Sequence, residues 1–224
     1  MRTFLRENAL TLFFSGLLLL ALVGQAVSGL ARINDQQVAA GQDAISIGAY
    51  LLSSDFAVDV AENWQSEFLQ FFLYILATVW FVQKGSSESK ELGSGGHESD
   101  EEQRVGPYAG PRSPAWARVG GWRLHLYANS LGLVMGVIFL LCWLAESVAG
   151  RAAYNAEQLR DYQDPVTWVG YVASADFWSR TLQNWQSEFL AVAAMAVFAV
   201  YLRQRGSPES KPVGSPHAST GDEG

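Results

Sequence analysis

Asn63-Trp64-Gln65-Ser66-Glu67-Phe68-Leu69 decides the fold, because it returns unchanged as Asn184-Trp185-Gln186-Ser187-Glu188-Phe189-Leu190. The displacement, 184 minus 63, is 121, and it holds without a gap through most of each half. Asn8 maps to Asn129, Gly29 to Gly150, Asn34 to Asn155, Tyr50 to Tyr171 and Asp55-Phe56 to Asp176-Phe177. Gly85-Ser86-x-Glu88-Ser89-Lys90 returns as Gly206-Ser207-x-Glu209-Ser210-Lys211. A long internal repeat fixes the architecture before any motif is read. Working outward from the string, Trp64 to Gln83 and Trp185 to Gln204 each give 20 positions that open on a tryptophan suited to a membrane interface.

Two further apolar runs, Ala9–Ala26 and Leu131–Ala145, precede the strings in their respective halves and are long enough for membrane helices. The chain is 49% hydrophobic, yet its polar residues gather in Gly/Ser/Pro-rich stretches at 84–114 and 206–224. Arg2 and Arg6 before the first run give it the look of a signal peptide. The matching run sits mid-chain, so the first is read as a retained helix. The expected fold is therefore all-α, with four transmembrane helices from two two-helix repeats. Repeat 1 covers 1–90 and repeat 2 covers 122–211. The linker 91–121 and the tail 212–224 have disordered composition.

Of the 15 Lys and Arg residues, all but Arg32, Arg151, Arg160 and Arg180 fall on one side of a four-span arrangement. The positive-inside rule places both termini and the linker in the cytoplasm. Two spans per copy make the repeats parallel, related about the membrane normal, unlike inverted-repeat transporters. Gly132-x-x-x-Gly136 is a helix-contact motif, and its counterpart is Thr11-x-x-x-Ser15. The second helix of each copy is expected to start at Ser54-Asp55 and Ala175-Asp176 and to run to a C-cap glycine, Gly85 or Gly206. The first should begin near Thr3 and extend past Gly29 toward Asn34 and Gln37, with turns at Gly41 and Asp164-Pro165.

Glu67 and Glu188 are the sharpest candidates for chemistry. Each lies three residues inside its interface tryptophan, Trp64 or Trp185, about 4.5 Å deeper along the helix. Asn63 and Asn184 lie one turn above on the same face. Gln25 and Glu146 fall at a similar depth on the partner helices. The expected polar layer is Gln25, Glu67, Glu146 and Glu188, with Asn63 and Asn184 above it. Ionisable groups at such depth are functional candidates as a cation or proton site. The structural alternative is that the Asn-Trp-x-x-Glu turns tie helices together. The Gly-Ser-x-Glu-Ser-Lys strings read as a helix stop and solvated turn, with headgroup or partner binding as the alternative.

Other chemistries find no support in the residues. His97, His125 and His217 all fall in cytoplasmic segments, lone Cys142 lies within a span, and no zinc or haem set follows. There is no Glu-x-x-His di-iron motif, phosphate-binding loop or Gly-x-Ser-x-Gly elbow. The net charge is −7, and no basic stripe suggests nucleic acid. No metal or cofactor is expected.

The duplicated strings, with Phe4-Leu5-Arg6-Glu7-Asn8 and Gly48-Ala49-Tyr50-Leu51, resemble a bacterial family of small integral membrane proteins known as a domain of unknown function. The likeness covers about residues 2–211. It implies a multi-pass protein of the bacterial cytoplasmic membrane and brings no activity or catalytic residue with it. The function expected is a non-enzymatic scaffold, sensing or partner-binding four-helix bundle; the alternative is a small cation or proton channel or transporter using Glu67, Glu188, Glu146 and Gln25. The expected partners are the lipid bilayer and a second copy of the chain, with the protein partner unidentified.

Overall fold

A computed structural model describes residues 2–222. Met1 and the last two residues of the tail, and the side chain of Arg2, lie outside the described set. The described residues are helical or irregular, with no strand among them. The elements are α1 Arg2–Glu7, α2 Ala9–Ala39, α3 Ile47–Leu51, α4 Ser54–Trp80, α5 Trp122–Ala128, α6 Ser130–Arg160, α7 Trp168–Val172 and α8 Ala175–Tyr201. Adding 121 to the bounds of α2, α3 and α4 gives the bounds of α6, α7 and α8. Two single-turn 3-10 segments, Gly106–Tyr108 and Ala115–Ala117, lie in the linker.

Each long first helix ends alike. Gln42 N–H donates to the Gln37 carbonyl (2.8 Å) and Gln163 N–H to the Gln158 carbonyl (2.7 Å), the long hydrogen bond of a Schellman end. The residue that must turn left-handed is Gly41 in the first copy, at φ 74°, and Tyr162 in the second, at φ 58°. Asn34 then clamps the loop, donating to the Ile45 carbonyl and accepting from Ile45 N–H. Asn155 does the same with Val166. Ser53 and Ser174 cap the second helices by accepting from Phe56 and Phe177 N–H.

Two compact units divide the chain, and both draw on both repeats. The first comprises 1–61 and 145–171; the second comprises 62–144 and 172–224. In the first, Tyr50 and Tyr171 are fully buried. Their hydroxyls rest where Gly29 and Gly150 lack a Cβ. The Tyr154 ring lies tilted against that of Tyr171, Trp168 donates its indole N–H to Ser147 (3.0 Å), and Arg32 pairs with Asp59 (3.5 Å). In the second, α4 packs on α6, with Phe72 against Gly136 and with Ile75 and Leu76 near Gly132.

Three sequence expectations are corrected. Among the described residues two helices, not four, are long and apolar enough to cross a membrane: α2 and α6. The cause is visible in α4 and α8, which begin with Asp55, Asp59 and Glu62 or Asp176, Arg180 and Asn184 and stop at Trp80 and Tyr201. Second, these helices end before Gly85 and Gly206, although both glycines do adopt positive φ, 84° and 82°. The last-turn carbonyls are taken by folded-back chain: Gly96 N–H donates to Val79 (2.7 Å), and Arg203 donates to Ala199 and Val200. Third, Thr3 lies inside α1, and the long helix starts after Asn8.

Candidate functional site

The duplicated string lies on α4 and α8, and its two copies do different work. In the first copy Gln65 and Ser66 are buried, and Gln65 Oε1 accepts the indole N–H of Trp185 at 2.9 Å. In the second copy Gln186 and Ser187 are exposed. A buried amide is costly unless bonded. This cross-repeat bond satisfies the Gln65 oxygen and ties α4 to α8, while Nε2 finds no hydrogen-bond partner among the described residues. Ser66 and Ser187 both turn back to the carbonyls of Asn63 and Asn184. Asn184 in turn donates to the Arg180 carbonyl (3.0 Å).

Around Trp185 the second unit builds an aromatic cluster. Trp143 lies 6.0 Å from Trp185 and from Trp178, and it stacks on Phe139 and Phe177. Its indole nitrogen donates at 3.5 Å to the fully buried Thr181 hydroxyl. One turn outward, Arg180 bridges Glu62 (3.3 Å) and Asp176 (3.4 Å). Arg180 stands where the first copy has Asp59, so the two copies are opposite in charge there.

The sequence-selected residues are distributed unevenly. Glu67 and Asn63 are exposed, Glu188 and Asn184 half-buried. Both glutamates belong to the second unit. Gln25, half-buried, and Glu146, fully buried, belong to the other unit. Trp64 is exposed, whereas Trp185 is half-buried within the cluster. Gly132 and Gly136 accept the α4 side chains, whereas Thr11 and Ser15 lie exposed on α2. Gln65, Thr181 and the Arg180–Glu62 pair went unselected in the sequence. For Gln65 the signal was present, since it stands inside the duplicated string.

The first Gly-Ser-x-Glu-Ser-Lys string is largely packed, whereas the second is open at Gly206 and Glu209 and packed only at its end. Ser86, Ser87, Ser210 and Lys211 are buried. Ser89 and Ser210 accept from Gln83 and Gln204 N–H, each at 2.9 Å. The lysines then fix the loops that follow. Lys90 Nζ donates to the Gly96 carbonyl (2.7 Å) and pairs with Glu98. Lys211 Nζ donates to the carbonyls of Pro216, His217 and Ser219 at 3.0–3.2 Å. Burial, and then the neighbouring Arg203 charge, hold the Lys211 ammonium below the usual lysine range. His97 and His217 lie edge-on or tilted against Trp80 and Tyr201.

Among the described residues no cluster of three His, Cys, Asp or Glu side chains is placed to hold a metal ion. No curated protein and no solved structure matches the chain. Residues 1–222 match the family model described as Domain of unknown function (DUF6766), and the chain belongs to that family.

Proposed function

We propose that the chain is a non-enzymatic scaffold of a bacterial cytoplasmic membrane, a pseudo-symmetric bundle in which α2 and α6 cross the bilayer and α4 and α8 return beside them. The observation that carries the scaffold reading is the bond from Trp185 to the buried Gln65. The most conserved string between the two halves is used to lock one repeat to the other. The return crossings draw support from the packing of Phe72, Ile75 and Leu76 on the Gly132–Gly136 face of α6. An apolar half-helix held along a crossing helix crosses with it. At 1.5 Å per residue, 27 residues reach about 40 Å, beyond a hydrocarbon core of ~30 Å.

A second reading, cation or proton passage, draws on the exposed Glu67 carboxylate and the half-buried Glu188 carboxylate in the same unit. The two readings separate in liposomes. Purified full-length protein is reconstituted, and proton and potassium flux are compared for wild type and Glu67→Gln/Glu188→Gln. The scaffold reading expects both to match empty liposomes. Flux in the wild type that the double substitution abolishes would overturn it in favour of passage.

A further inference from the structure

The stretch that leads into α6 is basic, aromatic and exposed. Between Gln103 and Ala145 stand Arg104, Arg112, Arg118 and Arg123, with no Asp or Glu among them. Arg112, Arg118 and Arg123 are exposed, and none of them pairs with a carboxylate among the described residues. Trp116, Trp122 and Tyr127 are exposed beside them. The segment is nonetheless built. Arg118 donates from Nε to the Ser113 carbonyl (2.8 Å) and from Nη2 to that of Pro111 (2.7 Å), closing the chain around the 3-10 segment Ala115–Ala117. That segment packs on α5. Trp116 lies edge-on to Trp122 (6.3 Å), and the Arg123 guanidinium lies over the Trp122 ring (5.6 Å). The joint between α5 and α6 is tight: Asn129 donates its side-chain amide to the His125 carbonyl (2.8 Å) and Ser130 its hydroxyl to that of Tyr127 (2.7 Å).

Two indoles held edge to face and left exposed at the root of an apolar helix stand where interface anchors belong. Guanidinium groups without a carboxylate partner match the phosphate of an anionic lipid in charge and in hydrogen-bonding geometry. Each basic residue near such a surface is worth roughly fivefold in affinity. A soluble acidic protein would answer the arginines but would leave the indoles in water. We infer that residues 112–127 form a binding surface for anionic phospholipid headgroups, with Arg112, Arg118 and Arg123 taking the phosphates and Trp116 and Trp122 seated at the boundary between water and lipid. This rests on the reading that α6 crosses the bilayer and is independent of whether ions pass.

The test is hydrogen exchange, read by mass spectrometry, on full-length protein in nanodiscs of phosphatidylcholine alone and of equal parts phosphatidylcholine and phosphatidylglycerol. Exchange across 112–127 is expected to be about tenfold slower in the anionic discs, and the difference should shrink at high salt. The outer loops 40–46 and 161–167 should not respond. Arg112→Gln/Arg123→Gln, which leaves the Arg118 hydrogen bonds in place, should return most of the exchange to its rate in neutral discs. Ala128→Glu, which sets the acid of the first copy, Glu7, at the equivalent exposed position, should also weaken the protection with every arginine present. Thermal unfolding confirms that each variant is folded. Equal exchange in both discs, equal slowing of the outer loops, or an unaltered difference in Arg112→Gln/Arg123→Gln would overturn the inference and leave α6 in the membrane. So would the same protection in neutral discs from inorganic phosphate or soluble polyglutamate, which would assign the surface to a free phosphate or an acidic protein. Protein stripped from vesicles by alkaline carbonate would instead overturn the membrane reading, and this inference with it.

Discussion

Gly29 and Gly150 face tyrosine hydroxyls so closely that a methyl group cannot enter: a Cβ on Gly150 would stand 2.5 Å from the Tyr171 oxygen, and one on Gly29 would be closer still to that of Tyr50. Both rings are fully buried. Gly150→Ala and Gly29→Ala should each destabilise the fold by about 1–3 kcal/mol through overpacking, measured by denaturant unfolding in detergent. Gly16→Ala is the control. Nothing lies within 4 Å of that position, and alanine in a helix gains up to ~1 kcal/mol over glycine. Equal effects at Gly16 and Gly150 would refute the close-contact account. Tyr162 is the opposite case, a residue 98% exposed and held at φ 58° where the first copy has glycine. Tyr162→Gly should stabilise by about 1 kcal/mol, because left-handed backbone costs ~1–2 kcal/mol for a residue with a Cβ. The sequence displayed Gly29 and Gly150 as a matched pair without a reason. The reason arrives from α3 and α7, across a loop, and helical periodicity carries no information about that approach.

At the level of the element, the two loops after α4 and α8 share a design but differ in what holds the lysine. Lys90 leans on the Glu98 carboxylate, and the hydrogen bond from Lys90, with a bond from Glu98's own backbone next, holds that carboxyl below the usual range. Lys211 uses carbonyl oxygens, which do not titrate near neutral pH. A carboxyl with a depressed folded pKa contributes stability above its unfolded value of 4.5, and that contribution is lost as pH falls through the folded value. Acidification below pH 4.5 should therefore loosen the segment 84–97 and spare 205–218. Hydrogen exchange read by mass spectrometry at pH 5.5 and 3.5 checks this, after correction for the intrinsic exchange rate. Equal loss of protection in both segments would contradict it. The starts of α4 and α8 were legible within a residue from Ser-Asp and Ala-Asp. Their ends were not, because the glycines that looked like caps sit five residues beyond the last helical residue, and the groups satisfying the final carbonyls come from chain further on.

For the whole molecule, the displacement of 121 was legible and recurs in helix bounds, loop clamps and serine caps. Which copy buries its glutamine was not, because identical strings carry no record of their surroundings; Gln65 is buried and accepts from Trp185, whereas Gln186 is exposed. That asymmetry bears on topology. Two strongly apolar helices, α2 and α6, permit two arrangements. If only they cross, the linker and the α2–α3 loop share a side and the α6–α7 loop lies opposite. If α4 and α8 also cross, the two loops share a side and the linker lies opposite. Basic residues precede both apolar helices, Arg6 before α2 and Arg118 and Arg123 before α6. On the proposed reading, in which such residues stay in the cytoplasm, both helices run in the same direction and α4 returns. Single cysteines at Gln42, Ser94 and Asp164, all exposed positions, in a Cys142→Ser background, test this with an impermeant thiol reagent on intact cells. The expectation is labelling of Gln42→Cys and Asp164→Cys from outside, with Ser94→Cys reacting only after permeabilisation. Labelling of Gln42→Cys and Ser94→Cys together, with Asp164→Cys protected, would make the repeats antiparallel and leave α4 and α8 on the membrane surface.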